Sequence, residues 1–102
     1  MRPSDKFVRI IGRKRYSVGT ATLLAGDDFW EGNCRERHGR NTFLYKTPKG
    51  AYFEVNLTQW EGEKDTLEPI TQEDAVSLWE GRLTEHYVRY SEAFPSEEVI
   101  DA

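Results

Sequence analysis

Between residues 51 and 58 the chain alternates in the manner of a strand. Phe53, Val55 and Leu57 interleave with Glu54, Asn56 and Thr58, which predicts one buried face and one wet or partnered face. Thr42 to Lys46 has the same β-rich character, and Thr47-Pro48-Lys49-Gly50 joins the two segments. Proline at the second turn position presets φ, and Gly50 can take the positive φ of a following bulge, so a hairpin is expected here. Phe7 to Ile11 and Arg15 to Val18 flank Gly12-Arg13, a pair suited to a two-residue turn, and predict a first hairpin.

The period changes after Ile70. Thr71 can cap a helix, Glu73 and Asp74 fall in its first turn, and Ile70 can staple against Ala75. Ala75, Val76, Trp79 and Leu83 then share a stripe, which predicts a helix over 72–83 with Gly81 as a weak point. Thr20 before Ala21, Leu24 and Ala25, with Gly26 after them, predicts one or two further helical turns. His86 to Tyr90 alternates as a last strand, and the acidic segment 91–102 reads as a partly ordered tail. Residues 27–41 show no period and predict a long loop. The expected architecture is α+β: a twisted, mainly antiparallel sheet of four or five strands, with the principal helix on one face and the second face open.

At 102 residues the chain is expected to form a single domain, since halves would be too small to bury a core. Only 37% of residues are apolar but 13% are aromatic, so rings must supply much of the buried surface. The net charge of −4 conceals an uneven distribution. Residues 1–50 carry eleven Lys or Arg against five acids, whereas residues 51–102 carry three against thirteen. Basic strands paired with acidic ones would cancel across the sheet, while separate layers would leave two patches; the sequence permits both. No apolar run is long enough to span a bilayer and the first twelve residues lack a signal-peptide core, so a cytoplasmic location with no membrane partner is expected.

Cys34 is the single cysteine, which excludes an intramolecular disulfide. With His38 four residues on it could hold zinc or act as a nucleophile, but zinc needs a third protein ligand and catalysis needs an orienting group and an oxyanion hole, none of which is legible. A small thiol and a surface histidine are the simpler reading. Glu54 lies on the polar side of its strand, and no phosphate-binding loop or serine elbow is present. The expectation is a non-enzymatic chain with no cofactor and no metal.

Each tryptophan precedes Glu-Gly, but the spacings of 30 and 19 residues are not a repeat. Trp79 reads as core. Trp30 and Trp60 lie in polar segments where a ring can anchor a partner, and Tyr45 and Tyr52 would join them on an exposed aromatic sheet face. That points to binding of a protein partner or to a homodimer. The second reading is single-stranded nucleic acid: Arg9, Arg13, Lys14 and Arg15 on the first hairpin with Arg35, Arg37 and Arg40 in the loop could track phosphates while rings stack on bases. The net negative charge opposes it.

The stretch Gly12-Arg13-Lys14-Arg15-Tyr16-Ser17-Val18-Gly19-Thr20-Ala21, the hairpin over 42–53 and the helix start Ile70-Thr71-Gln72-Glu73-Asp74-Ala75 together resemble a group of short, uncharacterised proteins from bacteria and mobile elements. The resemblance covers most of residues 10–80 and rests on turn and capping chemistry, so it implies a fold and carries no functional residue. With the small size and acidity of the chain, it points to an inhibitor of host defence of the anti-CRISPR kind.

Overall fold

The computed structural model describes residues 2–27 and 40–102. Strands β1 (Val8–Ile11) and β2 (Lys14–Ser17) form a separate two-stranded ribbon. A five-stranded sheet follows, built from β3 (Thr22–Gly26), β4 (Arg40–Lys46), β5 (Tyr52–Thr58), β6 (Thr66–Ile70) and β7 (Glu85–His86) in the order β6-β5-β4-β3-β7. Every pairing is antiparallel. Helix α1 (Gln72–Glu80) carries the chain from β6 across the sheet to β7, and a short α2 (Tyr90–Ala93) follows. The fold is therefore α+β, as the residue pattern predicts.

The 42–58 hairpin forms as expected. Thr47 N–H donates to Ala51 O at 2.8 Å and Gly50 N–H to Thr47 O at 2.9 Å, with Gly50 at φ 90°. The register places Tyr45 beside Phe53 and Phe43 beside Val55, so the alternation of β5 and that of β4 reinforce each other on one face. In the first hairpin Gly12 and Arg13 take φ values of 59° and 68°. Both positive angles are what a two-residue turn needs to match the twist of its strands.

Two apolar cores lie on opposite faces of the five-stranded sheet. On one, Leu24, Ala25, Leu44 and Tyr52 pack against Ala75, Trp79 and Leu83 from the helix side and against Ala93 and Phe94. On the other, Phe43, Tyr45, Phe53, Val55, Leu57 and Leu67 pack against Tyr16 and Val18, with Phe7 and Ile11 alongside. The expectation of an open second face is thus corrected: the first hairpin covers it. Each fully buried Leu or Phe contributes about 1.5–3 kcal/mol, so a chain with few aliphatics gains by making both faces of one sheet work.

The helix starts as its sequence predicts. Thr71 Oγ1 accepts from Asp74 N–H at 3.1 Å, and Ile70 joins the same core as Ala75. It ends at Glu80, earlier than Leu83, because Gly81 caps it and the following turn widens, with Leu83 N–H donating to Leu78 O at 3.0 Å. His86 Nε2 lies 2.9 Å from both Trp79 O and Leu83 O, which only accept, so this nitrogen carries the proton and closes the helix end. Its ring stacks on Trp79 at 3.8 Å.

Three local expectations are overturned by tertiary pairing. The helical signal at Thr20 is used one step earlier as a single 3-10 turn, Val18–Thr20, and residues 22–26 form a strand between β4 and β7. A bulge at Leu24, between Leu23 and Ala25, turns both Leu24 and Ala25 into the helix-side core. The last strand stops at His86 because Arg89 caps α2 instead, and Thr66–Ile70, unmarked by alternation, is a strand. Pro69 is tolerated there because β6 is an edge. The segment 91–102 is anchored at its start: Phe94 is fully buried, and Tyr52 Oη donates to Ala93 O at 2.6 Å.

Candidate interaction surface

The layering answers the charge question left open by the sequence. Residues 7–17, the hairpin layer, hold four cations and no acid, while residues 71–102, on the helix side, hold eight acids and two cations. The five-stranded sheet stands between them, so the asymmetry becomes two oppositely charged faces.

The β1–β2 register divides the hairpin into two sides. Arg9 pairs with Tyr16 and Ile11 with Lys14, and Tyr16 and Ile11 look inward to the core. Val8 pairs with Ser17 and Ile10 with Arg15, so these four side chains share the outer side. Ile10 is 69% exposed and Val8 is also open to solvent. Arg13 occupies the tip, and Lys14 and Arg15 are exposed beside it. Among the described residues Arg13, Lys14 and Arg15 have no ion-pair partner. Arg9 differs: its guanidinium donates to Leu67 O at 3.0 Å and reaches Glu68 at 3.5 Å, closing the outer edge of β6. It belongs to the architecture.

A second feature stands at the far end of the sheet. Arg40, first residue of β4, forms a two-pronged pair with Glu63, whose Oε1 also accepts from Thr58 Oγ1 at 2.6 Å. The hydrogen bond and charge of Glu63 hold the Arg40 guanidinium above its ordinary pKa, and the bonds from Arg40 and Thr58 hold the Glu63 carboxyl below the usual range. Arg40 also lies over the Trp60 ring, 5.8 Å from its centroid, and Trp60 is 52% exposed. Beside them is a groove of about 370 Å³ lined by Arg40, Thr42, Asn56, Leu57, Thr58 and Arg82 among others. Arg82 Nε stands 3.9 Å from the buried Asp27 carboxylate.

Of the residues singled out in the sequence, the structure brings Trp60 and Arg40 together and groups Arg13, Lys14 and Arg15. Tyr45 and Tyr52 are corrected: at 4% and 5% exposure they are core rings, because the hairpin and the helix cover the faces they occupy. Tyr45 stacks on Phe53 at 5.2 Å. Trp30, Arg35 and Arg37, with Cys34 and His38, lie outside the described residues. Val8 and Ile10 were not legible as surface. The available signal was a strand with aliphatics on both of its sides, which means either burial on both or an exposed apolar strip.

Among the described residues no three His, Cys, Asp or Glu side chains are placed to hold a metal ion, and no helix is long and apolar enough to cross a membrane. Comparison with protein-family models, curated proteins and solved structures finds no match to this chain.

Proposed function

We propose that this chain is a non-enzymatic protein-interaction module that recognises an acidic, aliphatic segment of a partner through the outer side of its first hairpin. The observation that carries this reading is the strip formed by Val8 and Ile10 with Arg13 at the tip and Arg15 beside it, exposed on a layer whose inner side is committed to the core. Apolar side chains provide the area and the cations select the sign of the partner. Arg13 supports the reading further. A non-glycine residue at φ 68° in a turn costs about 1–2 kcal/mol, a strain consistent with selection for its charge at the tip. An inhibitor of host defence is one role such a module can serve, proposed from size, acidity and the resemblance to short mobile-element proteins.

Peptide-display selection on the immobilised chain tests this. Peptides that combine aliphatics with flanking acids should be enriched, and Ile10→Asp or Arg15→Glu should abolish their binding while leaving the circular dichroism unchanged. Selection that enriches nothing, or peptides indifferent to both substitutions, would remove the proposal.

Single-stranded nucleic acid remains the second reading, favoured by the exposed Trp60 with Arg40 over its ring. Against it, Tyr16 and Tyr45 are buried and the hairpin strip is aliphatic, so a stacking platform has few rings to offer. Oligonucleotide binding that falls steeply with salt and is lost in Arg40→Glu would favour it over the protein reading.

A further inference from the structure

Among the described residues, large exposed aliphatic side chains occur in two places, and the two are complementary. One is the hairpin strip. The other is the segment after Phe94, where Val99 and Ile100 are 72% and 79% exposed and stand among Glu97, Glu98 and Asp101. Gln72 Nε2 donates to Ser96 Oγ at 2.8 Å and to a Glu97 carboxylate oxygen at 3.0 Å, which ties the segment to the start of α1. From Glu98 onward no hydrogen bond or ion pair holds it among the described residues. It projects from the acidic helix layer, whereas the strip lies on the basic layer across the sheet.

We infer that the outer side of the first hairpin of one copy takes up the Glu97–Asp101 segment of a second copy, with Val99 and Ile100 against Val8 and Ile10 and the acids against Arg13 and Arg15. The inference rests on the reading of the hairpin as a recognition surface and names its occupant. Charge argues for this pairing over hairpin against hairpin, which would bring Arg13 and Arg15 of the two copies together. Position argues for a second copy. Phe94 is fixed in the helix-side core, and the segment would have to round the edge of the five-stranded sheet to reach its own hairpin. The contact joins two different patches, so it closes only if two copies exchange segments or a ring forms. It is small and charged, so it is weak and weakens further as salt rises.

Sedimentation velocity of the full chain over a wide concentration range tests the inference. Ile10 and Ile100 lie outside both cores, so Ile10→Asp and Ile100→Asp leave the fold intact, which circular dichroism checks. The wild type should associate with rising concentration, and each variant should lose that association by about tenfold or more. Mixing the two variants should restore a one-to-one complex, because one supplies an intact segment and the other an intact hairpin. A wild type that stays a single chain throughout, an Ile100→Asp variant that associates like the wild type, or a mixture that stays unassociated would each overturn the inference. Ile100→Asp keeps its hairpin, so peptides selected on the wild type should still bind it. If they bind while the wild type fails to associate, the recognition surface stands and only its occupant is wrong.

Discussion

Replacing Phe94 with Ala tests whether the segment after β7 is an integral part of the helix-side core. The ring is fully buried, at centroid distances of 5.4 Å from Tyr52, 6.0 Å from Trp79 and 5.2 Å from Tyr90. Its neighbours come from β5, from α1 and from α2, so no single element can collapse into the space. Removing a phenyl ring from such a site costs about 3–5 kcal/mol. Small domains hold roughly 5–15 kcal/mol in total, so the variant should unfold at markedly lower urea. Urea titration read by far-ultraviolet circular dichroism and by tryptophan fluorescence measures the loss, and both signals should move together. If residues 89–102 were a loosely attached tail, the segment would detach and the loss would stay under about 1 kcal/mol. A loss that small would show that Phe94 is not an integral part of the core.

Three further outcomes follow from individual contacts. Tyr52→Phe removes the hydrogen bond to Ala93 O and should cost about 1 kcal/mol at neutral pH. Burial first and Glu97 second raise the Tyr52 pKa in the folded state. The stability it contributes is therefore present below pH ~10 and lost as pH climbs through the higher folded value, so the variant's alkaline limb should be shallower than the wild type's by pH-dependent urea unfolding. Arg13→Gly relieves the positive φ and should raise stability by up to about 1 kcal/mol in thermal melts while weakening peptide binding at the hairpin. Glu63 has a lowered folded pKa, so its contribution exists above pH ~4.3 and disappears as pH falls through the folded value. Glu63→Gln should flatten the acid limb of the stability profile, and an unchanged limb would show that the pair with Arg40 adds nothing.

Local chemistry was legible wherever it agreed with the tertiary arrangement. The Thr47–Gly50 turn, the Thr71 cap and the alternation of β5 each stand in the structure because pairing and packing use the conformation these residues already prefer. Legibility failed where packing overrode it. Leu24 and Ala25 satisfy a helical spacing as well as a bulged strand, and only the apolar faces of β4 and α1 decide for the strand. Tyr45 and Tyr52 read as surface because nothing in the pattern says that the hairpin folds back over one face and Phe94 closes the other. The charge asymmetry was visible, but its meaning needed the layering: the basic ribbon adds no strand to the main sheet, and Arg9 reaches Glu68 of β6 only through its side chain. Trp60 and Arg40 were each legible as candidates, while their meeting over Glu63 depends on the register of β4 with β5.

The outer side of the first hairpin is the surface through which this chain is proposed to meet others. Titrating the isotope-labelled chain with an unlabelled peptide of residues 96–102 and following backbone amide resonances locates binding directly. The account predicts shifts at Val8, Ile10, Arg13, Arg15 and Ser17 that fade as salt is raised, with Thr58, Trp60 and Arg40 unmoved. Shifts confined to the groove beside Trp60, or none up to millimolar peptide, would contradict it.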